Sequence, residues 1–175
     1  GVRGAARSLK GERDQNFLVQ GEQGRFVLKI TNPAEDRRVT DFHTQALLHI
    51  ASVDPSLSVP RILPTREGDY EAELRIGDGA PRVVRLLSFL PGVMAVAVPS
   101  HPELYAGIGN VLARFDRALQ GFSHPAADYE LSWDLVHASR LRPLLPNVEQ
   151  RVDRERVERA LDRFESDVTP SFAAL

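Results

Sequence analysis

Of the 22 Lys and Arg residues in this chain only two are lysine, Lys10 and Lys29. Such a bias suggests an arginine-favouring, GC-rich coding sequence and makes a bacterial source the expectation. A lysine retained inside an apolar segment then stands out, because a compact ammonium and a planar guanidinium are not interchangeable. Lys29 sits in Arg25-Phe26-Val27-Leu28-Lys29-Ile30. Period-2 alternation puts Phe26, Leu28 and Ile30 on one face and Arg25, Val27 and Lys29 on the other. With the first face packed on a helix, Lys29 projects from a rigid strand into whatever lies under the sheet. The plainer alternative is an edge-strand lysine that discourages pairing with another chain. Upstream, Glu12-Arg13-Asp14-Gln15-Asn16 is a run of five polar residues between two strand-like segments. A hairpin needs only a Gly or Asn-Gly turn there. The run therefore carries more hydrogen-bonding equipment than a solvated turn requires.

Other chemistries find no footing. The chain has no cysteine, which excludes disulfides and thiolate metal sites. Its histidines, His43, His49, His101, His124 and His137, give no i, i+4 pair on one helix, so a zinc site is not expected. No G-x-S-x-G elbow is present. The formal net charge of -2 gives no basic excess for nucleic acid. No apolar run approaches membrane-span length and no signal peptide is evident. A cytoplasmic location is the default expectation, with neither nucleic acid nor membrane as a partner. The run Asp153 to Arg159 reads as a solvated helix face with pairs such as Glu155 to Arg159, and Trp133 as a core anchor.

The elements that must position Lys29 are β-rich at first. Strands are expected at Gly4–Leu9, Phe17–Gln20 and Arg25–Ile30, with Gly21-Glu22-Gln23-Gly24 as a tight turn. After Asn32-Pro33, the spacing of Val39, Phe42, Ala46, Leu47 and Ile50 predicts a helix over 35–51. Short strands follow at Val59–Leu63, Tyr70–Ile76 and Arg82–Phe89, the last two joined through Gly77-Asp78-Gly79. Beyond Pro91-Gly92 the chain reads helical. Ser100-His101-Pro102-Glu103 has the capping-box pattern, and Leu104, Ile108, Val111, Leu112, Phe115 and Leu119 form one stripe up to Gly121. Further helices are expected from Trp133 to Leu141 and from Asp153 to Asp167, closed by Thr169-Pro170. The order implies α+β with two lobes, 1–91 and 92–175.

A strand lysine followed by a helix and then a hairpin is how kinase-like enzymes set an ammonium against nucleotide phosphates. The resemblance becomes specific in Glu12-Arg13-Asp14-Gln15-Asn16-Phe17 with Phe26-Val27-Leu28-Lys29-Ile30-Thr31-Asn32-Pro33-Ala34-Glu35-Asp36 after it. Leu86-Leu87-Ser88-Phe89-Leu90-Pro91-Gly92, His124-Pro125-Ala126-Ala127 and Trp133-Asp134-Leu135 add to it. Together they resemble the aminoglycoside phosphotransferase/choline kinase family across essentially the whole chain. They look closest to its hydroxylysine-kinase-like branch, which is often the front end of a chain continuing into a class III aminotransferase. The implied fold is protein-kinase-like: an antiparallel β-sheet lobe with one helix, then an incomplete helical lobe.

By that resemblance Lys10 to Asn16 takes the place of the phosphate-covering loop, although it is not Gly-rich; Glu12, Arg13, Asp14, Gln15 and Asn16 are its polar groups. Side chains and backbone N–H groups can hold phosphate oxygens in such a loop. Lys29 is implied as the phosphate-binding lysine. Ser88, Phe89 and Leu90 are implied as a hinge offering backbone groups to an adenine edge, with Val27 and Leu87 as apolar walls. The implied cofactor is ATP or GTP with Mg²⁺, and PLP only if an aminotransferase follows. The implied acceptor is the hydroxyl of an amine-bearing metabolite.

Two departures qualify the resemblance. The helix residue that holds such a lysine is usually Glu, and the best-placed candidate here is Gln45, with Glu35 or Asp41 as substitutes. Second, no His-x-Asp with a downstream Asn occurs, and no later metal-binding Asp motif. No catalytic or metal-ligating residue is therefore assigned, and phosphoryl transfer by these residues alone is not expected. The alternative is a non-catalytic module of the same fold that binds a ligand or a partner domain. An exposed apolar patch around the terminal helix, or self-association, is expected from an incomplete helical lobe.

Overall fold

The computed structural model describes residues 2–131 and 134–172. Strands β1 (Gly4–Leu9), β2 (Gln15–Gly21) and β3 (Gly24–Ile30) form an antiparallel meander. Strands β4 (Ile62–Leu63), β5 (Ala72–Leu74) and β6 (Arg82–Ser88) complete a six-stranded sheet in the order β1-β2-β3-β6-β4, with β5 also paired to β6. Every pairing is antiparallel. This is the α+β, kinase-like architecture expected.

Register decides which side chains meet. Leu18 lies opposite Val27, which lies opposite Leu87, which lies opposite Ile62. Two residues along, Asn16, Lys29 and Arg85 are aligned across β2, β3 and β6. Cross-strand partners share a face, so Leu18, Ile62, Val83 and Arg85, all buried, belong to the inner face that also carries Lys29. Phe17, Leu28 and Leu86 belong to the other face.

Helix α1 (Arg37–Val53) packs on the inner face. Asp36 caps it by accepting from the Arg38 N–H, so the helix starts after Asp36 rather than at residue 35. Thr40 and Thr44 are buried and receive Arg85, whose Nη1 donates to the Thr40 carbonyl at 3.3 Å and to the Thr44 hydroxyl at 3.4 Å. The helix thus covers the Lys29 face, not the Phe26, Leu28 and Ile30 face expected from alternation alone. The reason is long-range: Arg85 on the neighbouring strand carries the contact.

The expected strand Val59–Leu63 is cut to two residues. Pro60 has no N–H to give a ladder, and Val59 is drawn instead against a small core of Ile50, Leu57 and Ala118. That core joins the end of α1 to helix α2 (Pro102–Ala118), with Phe115 and Leu119 packed against it. Arg114 reinforces the junction with a forked pair to Asp54, at 2.8 Å to Oδ1 and 2.7 Å to Oδ2, and reaches Ser56 at 2.7 Å. His124 reaches back to Asp41 at 3.1 Å, and Phe42 stacks on Phe122. The compact division therefore falls between Asp128 and Tyr129.

The cap of α2 is His101, whose Nδ1 accepts from the Leu104 N–H at 3.2 Å. Ser100, the expected cap, instead shares a hydrogen bond with the Tyr105 hydroxyl. Gly121 ends the segment at φ +79, the left-handed conformation that glycine tolerates best. The apolar stripe of α2 is only half used. Phe115 and Leu119 enter the core, whereas Ile108, Val111 and Leu112 stay exposed.

The second unit, from Tyr129 onward, begins with consecutive 3₁₀ turns over Leu135–Asn147. Pro143 and Pro146 lie inside them and withhold the donors an α-helix would need. Trp133, the expected core anchor, lies outside the described residues. Helix α3 (Arg151–Arg163) runs into a π turn at Phe164–Val168 and then α4 (Thr169–Phe172). Thr169-Pro170 therefore does not close the helix; the wider turn accommodates a residue without an N–H. Arg142 forks onto Glu165 at 2.6 and 2.8 Å and reaches Asp162 at 2.6 Å, which raises its pKa through those two hydrogen-bonded carboxylates. The apolar exposure expected around the terminal helix is present at Val152 and Val157 but is widest on α2. Among the described residues no helix is long and apolar enough to cross a membrane.

Candidate functional site

The polar run between β1 and β2 is shorter as a loop than its composition suggests. Gln15 and Asn16 are already strand residues, paired with Ile30 and Lys29. The turn itself is tight at Gly11, where a Cβ would come within 2.3 Å of the Asp14 carbonyl and 2.8 Å of the Asn16 amide nitrogen. Glycine is required there by close approach.

The equipment of this loop is spent on the segment that follows β3. Asp14 accepts from the Asn32 N–H at 2.9 Å and faces the Lys29 ammonium at 2.8 Å. Arg13 pairs with Glu35 at 3.4 Å. Asn16 donates to the Asp14 carbonyl at 3.5 Å, and Gln15 accepts from Arg82 at 3.5 Å. Glu12 is exposed. Burial works to raise the Asp14 carboxyl, but the Lys29 hydrogen bond, the Asn32 N–H and the nearby Lys29 and Arg85 charges together hold it below the usual carboxylate range.

The lysine-orienting role expected of Gln45 is not met. Its Nε2 donates to Asp41 at 3.2 Å, four residues earlier on an exposed part of α1. Asp41 itself is held by Gln45 and His124, and Glu35 is taken by Arg13. Lys29 finds its carboxylate in the loop instead. Sequence periodicity could not show this, because residues 14 and 29 meet only through the β2–β3 register.

Arg85 was also missed. It is 4% exposed, its Nε has no partner among the described residues, and burial pushes its guanidinium down while the Glu71 and Asp14 charges support it. Glu71 is itself held by the Thr44 hydroxyl at 2.7 Å. A charged residue in the middle of Arg82-Val83-Val84-Arg85-Leu86-Leu87 was the available signal. His43 lies along α1 near these groups; partial burial, then the Arg85 and Lys29 charges, lower its pKa.

The expected hinge, Ser88, Phe89 and Leu90, follows Leu87 at the end of β6 with few free groups. The Ser88 N–H donates to the Arg61 carbonyl and its hydroxyl accepts from the Arg61 N–H, both at 2.8 Å. The Phe89 N–H donates to the Arg25 carbonyl at 3.1 Å, and Arg25 lies over the Phe89 ring. Those two N–H groups are committed to the sheet, so an adenine edge would have to use Leu90 or the carbonyls. Val27 and Leu87, directly paired, are half-buried on the same face as Lys29. Among the described residues no group of three or more His, Asp or Glu side chains is placed to hold a metal ion.

This geometry is an inner sheet face with an apolar floor, one ammonium and a polar loop tied over it. Residues 6–172 match the phosphotransferase enzyme family. The chain is 29% identical over 181 residues to a hydroxylysine kinase of Mus musculus, covering 91% of this chain and 46% of that protein. It is 33% identical over 127 residues to a hydroxylysine kinase of Danio rerio, covering 68% of this chain and 35% of that protein. The chain thus spans less than half the length of these relatives. Among solved structures, an amicoumacin kinase in complex with AMP-PNP and Ca²⁺ superposes with a TM-score of 0.63 at 12% identity, over 92% of this chain and 48% of that one. A microcompartment-associated aminopropanol kinase gives 0.55 at 17% identity, over 82% and 51%. At such identities the superpositions speak for the kinase-like fold alone. The family match spans nearly the whole chain, so this chain belongs to the phosphotransferase enzyme family.

Proposed function

We propose that this chain is the nucleotide-binding part of a small-molecule kinase that phosphorylates the hydroxyl of an amine-bearing metabolite, with ATP or GTP as donor. One observation carries the reading. Lys29 stands on the inner face of the sheet beside the paired Val27 and Leu87, with its ammonium 2.8 Å from the carboxylate of the covering loop. An apolar sheet face beside a fixed cation is what a purine and its phosphates require. Asp14, Asn16 and the loop N–H groups would border the phosphates, and Leu90 and the hinge carbonyls would meet the base. Residues 1–91 would form the nucleotide-binding lobe in the functional sense, although α2 packs with them. The hydroxylysine kinase and aminopropanol kinase names of its relatives favour an amino-alcohol acceptor.

The residues that would position Mg²⁺ and accept the substrate proton are not assigned in this chain. A continuation into a PLP-dependent class III aminotransferase was expected from the resemblance; the relatives found are kinases and lend it no support. The test is thermal unfolding with and without magnesium nucleotide. A ligand at about 100 times its Kd adds roughly 2.7 kcal/mol to stability. A rise in Tm with millimolar Mg-ATP or Mg-GTP is expected. No rise with either nucleotide refutes the reading and favours a non-catalytic module of this fold.

A further inference from the structure

Two cations, Lys29 and Arg85, lie side by side on the inner face of the sheet. Such a pair needs an anion near it, and the structure shows where the anion does not come from. The sheet-facing positions of α1 are Thr40 and Thr44, and both are engaged by the Arg85 guanidinium. Of the acidic residues of the neighbouring segments, Asp41 is held by Gln45 and His124 and Glu35 by Arg13, while Glu71, bonded to Thr44 and 3.7 Å from Arg37, lies on the Arg85 side and supports that charge. Among the described residues the carboxylate that reaches Lys29 is that of Asp14. Its other oxygen is fixed by the Asn32 N–H, and its backbone is fixed by the close approach of Gly11. The carboxylate is therefore a built-in part of the turn rather than a passing surface ion.

We propose that Asp14 is the positioning residue for Lys29, supplied by the loop that would cover the phosphates instead of by helix α1, so that closing the loop and aiming the lysine are one event. The role assigned to Lys29 rests on the nucleotide reading above; the placement of Asp14 does not. Three hydrogens on the ammonium allow one bond to Asp14 while others face a phosphate oxygen. Losing Asp14 frees Lys29 to follow the repulsion of Arg85. Moving or trimming Gln45 leaves Lys29 where it is.

The two lysines make the test direct. In the nucleotide-free wild type, a carbodiimide should join the Asp14 carboxylate to the Lys29 amine as an amide, found by peptide mass spectrometry. Coupling of Lys29 to Glu35, Asp41 or Glu71 in place of Asp14 overturns the proposal, and this measurement needs no variant. Acylation by acetic anhydride then gives the strength of the contact, with exposed Lys10 as internal reference. Asp14→Asn should raise the Lys29-to-Lys10 rate ratio on the order of threefold to tenfold, the weight of a charge-assisted hydrogen bond discounted for partial exposure. Asp14→Glu should restore part of the slow rate, and Gln45→Ala should leave it unchanged. A rise with Gln45→Ala and none with Asp14→Asn overturns the proposal. Binding of Mg-ATP should weaken in Asp14→Asn by a similar factor while adenosine binding holds. If Mg-ATP fails to slow Lys29 acylation in the wild type, the nucleotide reading falls, and the carbodiimide product still decides the placement of Asp14.

Discussion

Ile50 is 1% exposed and sits where the end of α1 meets Leu57, Ala118, Val59, Phe115 and Leu119. Ile50→Ala removes three side-chain carbons from this junction. At about 0.8 kcal/mol per buried carbon the transfer loss is about 2.4 kcal/mol. A cavity left by incomplete collapse adds about 1–2 kcal/mol, and the better helix propensity of alanine returns about 0.4 kcal/mol. The net expectation is a loss of about 3–4 kcal/mol, or a fall in Tm of roughly 6–16 °C for a chain of this length. Urea unfolding followed by far-UV circular dichroism measures it, with Val53→Ala as control. Val53 is 53% exposed on the same helix, and its change should stay within about 0.5 kcal/mol. If Ile50→Ala costs less than about 1 kcal/mol, α2 is not part of the packing unit that carries the sheet.

Three further outcomes follow from the same geometry. Gly11→Ala should displace the Asp14 carbonyl, which a Cβ would meet at 2.3 Å, and so should accelerate Lys29 acylation as Asp14→Asn does; an unchanged Lys29 rate refutes the tight-turn account. Gly121→Ala meets no neighbour but keeps φ +79, so it should cost about 1 kcal/mol from backbone strain alone in chemical denaturation. Asp54 is held below its ordinary pKa of 3.8 first by the Arg114 hydrogen bonds, then by Ser56. A depressed folded pKa gives stability that is present above 3.8 and lost as pH falls through the folded value. The acid limb of the unfolding profile should therefore be shallower in Asp54→Asn than in the wild type below that pH; parallel limbs contradict the clamp.

Much of the sheet was legible because strands declare themselves by local alternation and by glycine turns. β1, β3 and β6 lie within a residue of their expected spans. The loop Glu12 to Asn16 was also conspicuous, since its polarity exceeds what a hairpin needs. What could not be read was pairing at long range. Asp14 reaches Lys29 only because β2 and β3 are in a particular register, and no periodicity argument carries that information. The same limit hid Arg85, which looks like a surface residue in sequence and becomes the filling between sheet and helix. Gln45 was chosen by its place on the helix, yet that position is exposed and its amide donates to Asp41 one turn earlier. In α2 the stripe was correct as a pattern, but amphipathicity says only that a face can be buried; Ile108 and Leu112 are not. The helix expected from Trp133 to Leu141 is replaced, over its described part, by consecutive 3₁₀ turns that run on through Pro143 and Pro146 to Asn147.

The central claim is that Lys29 binds the phosphates of a nucleotide whose base lies against Val27 and Leu87. Titration calorimetry of Mg-ATP and of adenosine against the wild type and Lys29→Ala tests it most directly, because adenosine has the base without the phosphates. A charge-assisted contact of about 1.5–3 kcal/mol corresponds to roughly tenfold to a hundredfold in affinity. The wild type should prefer Mg-ATP to adenosine by at least that factor, and Lys29→Ala should lose the preference while its adenosine affinity is unchanged. An equal preference in both proteins, or adenosine binding that fails with Lys29→Ala in a folded variant, contradicts the claim.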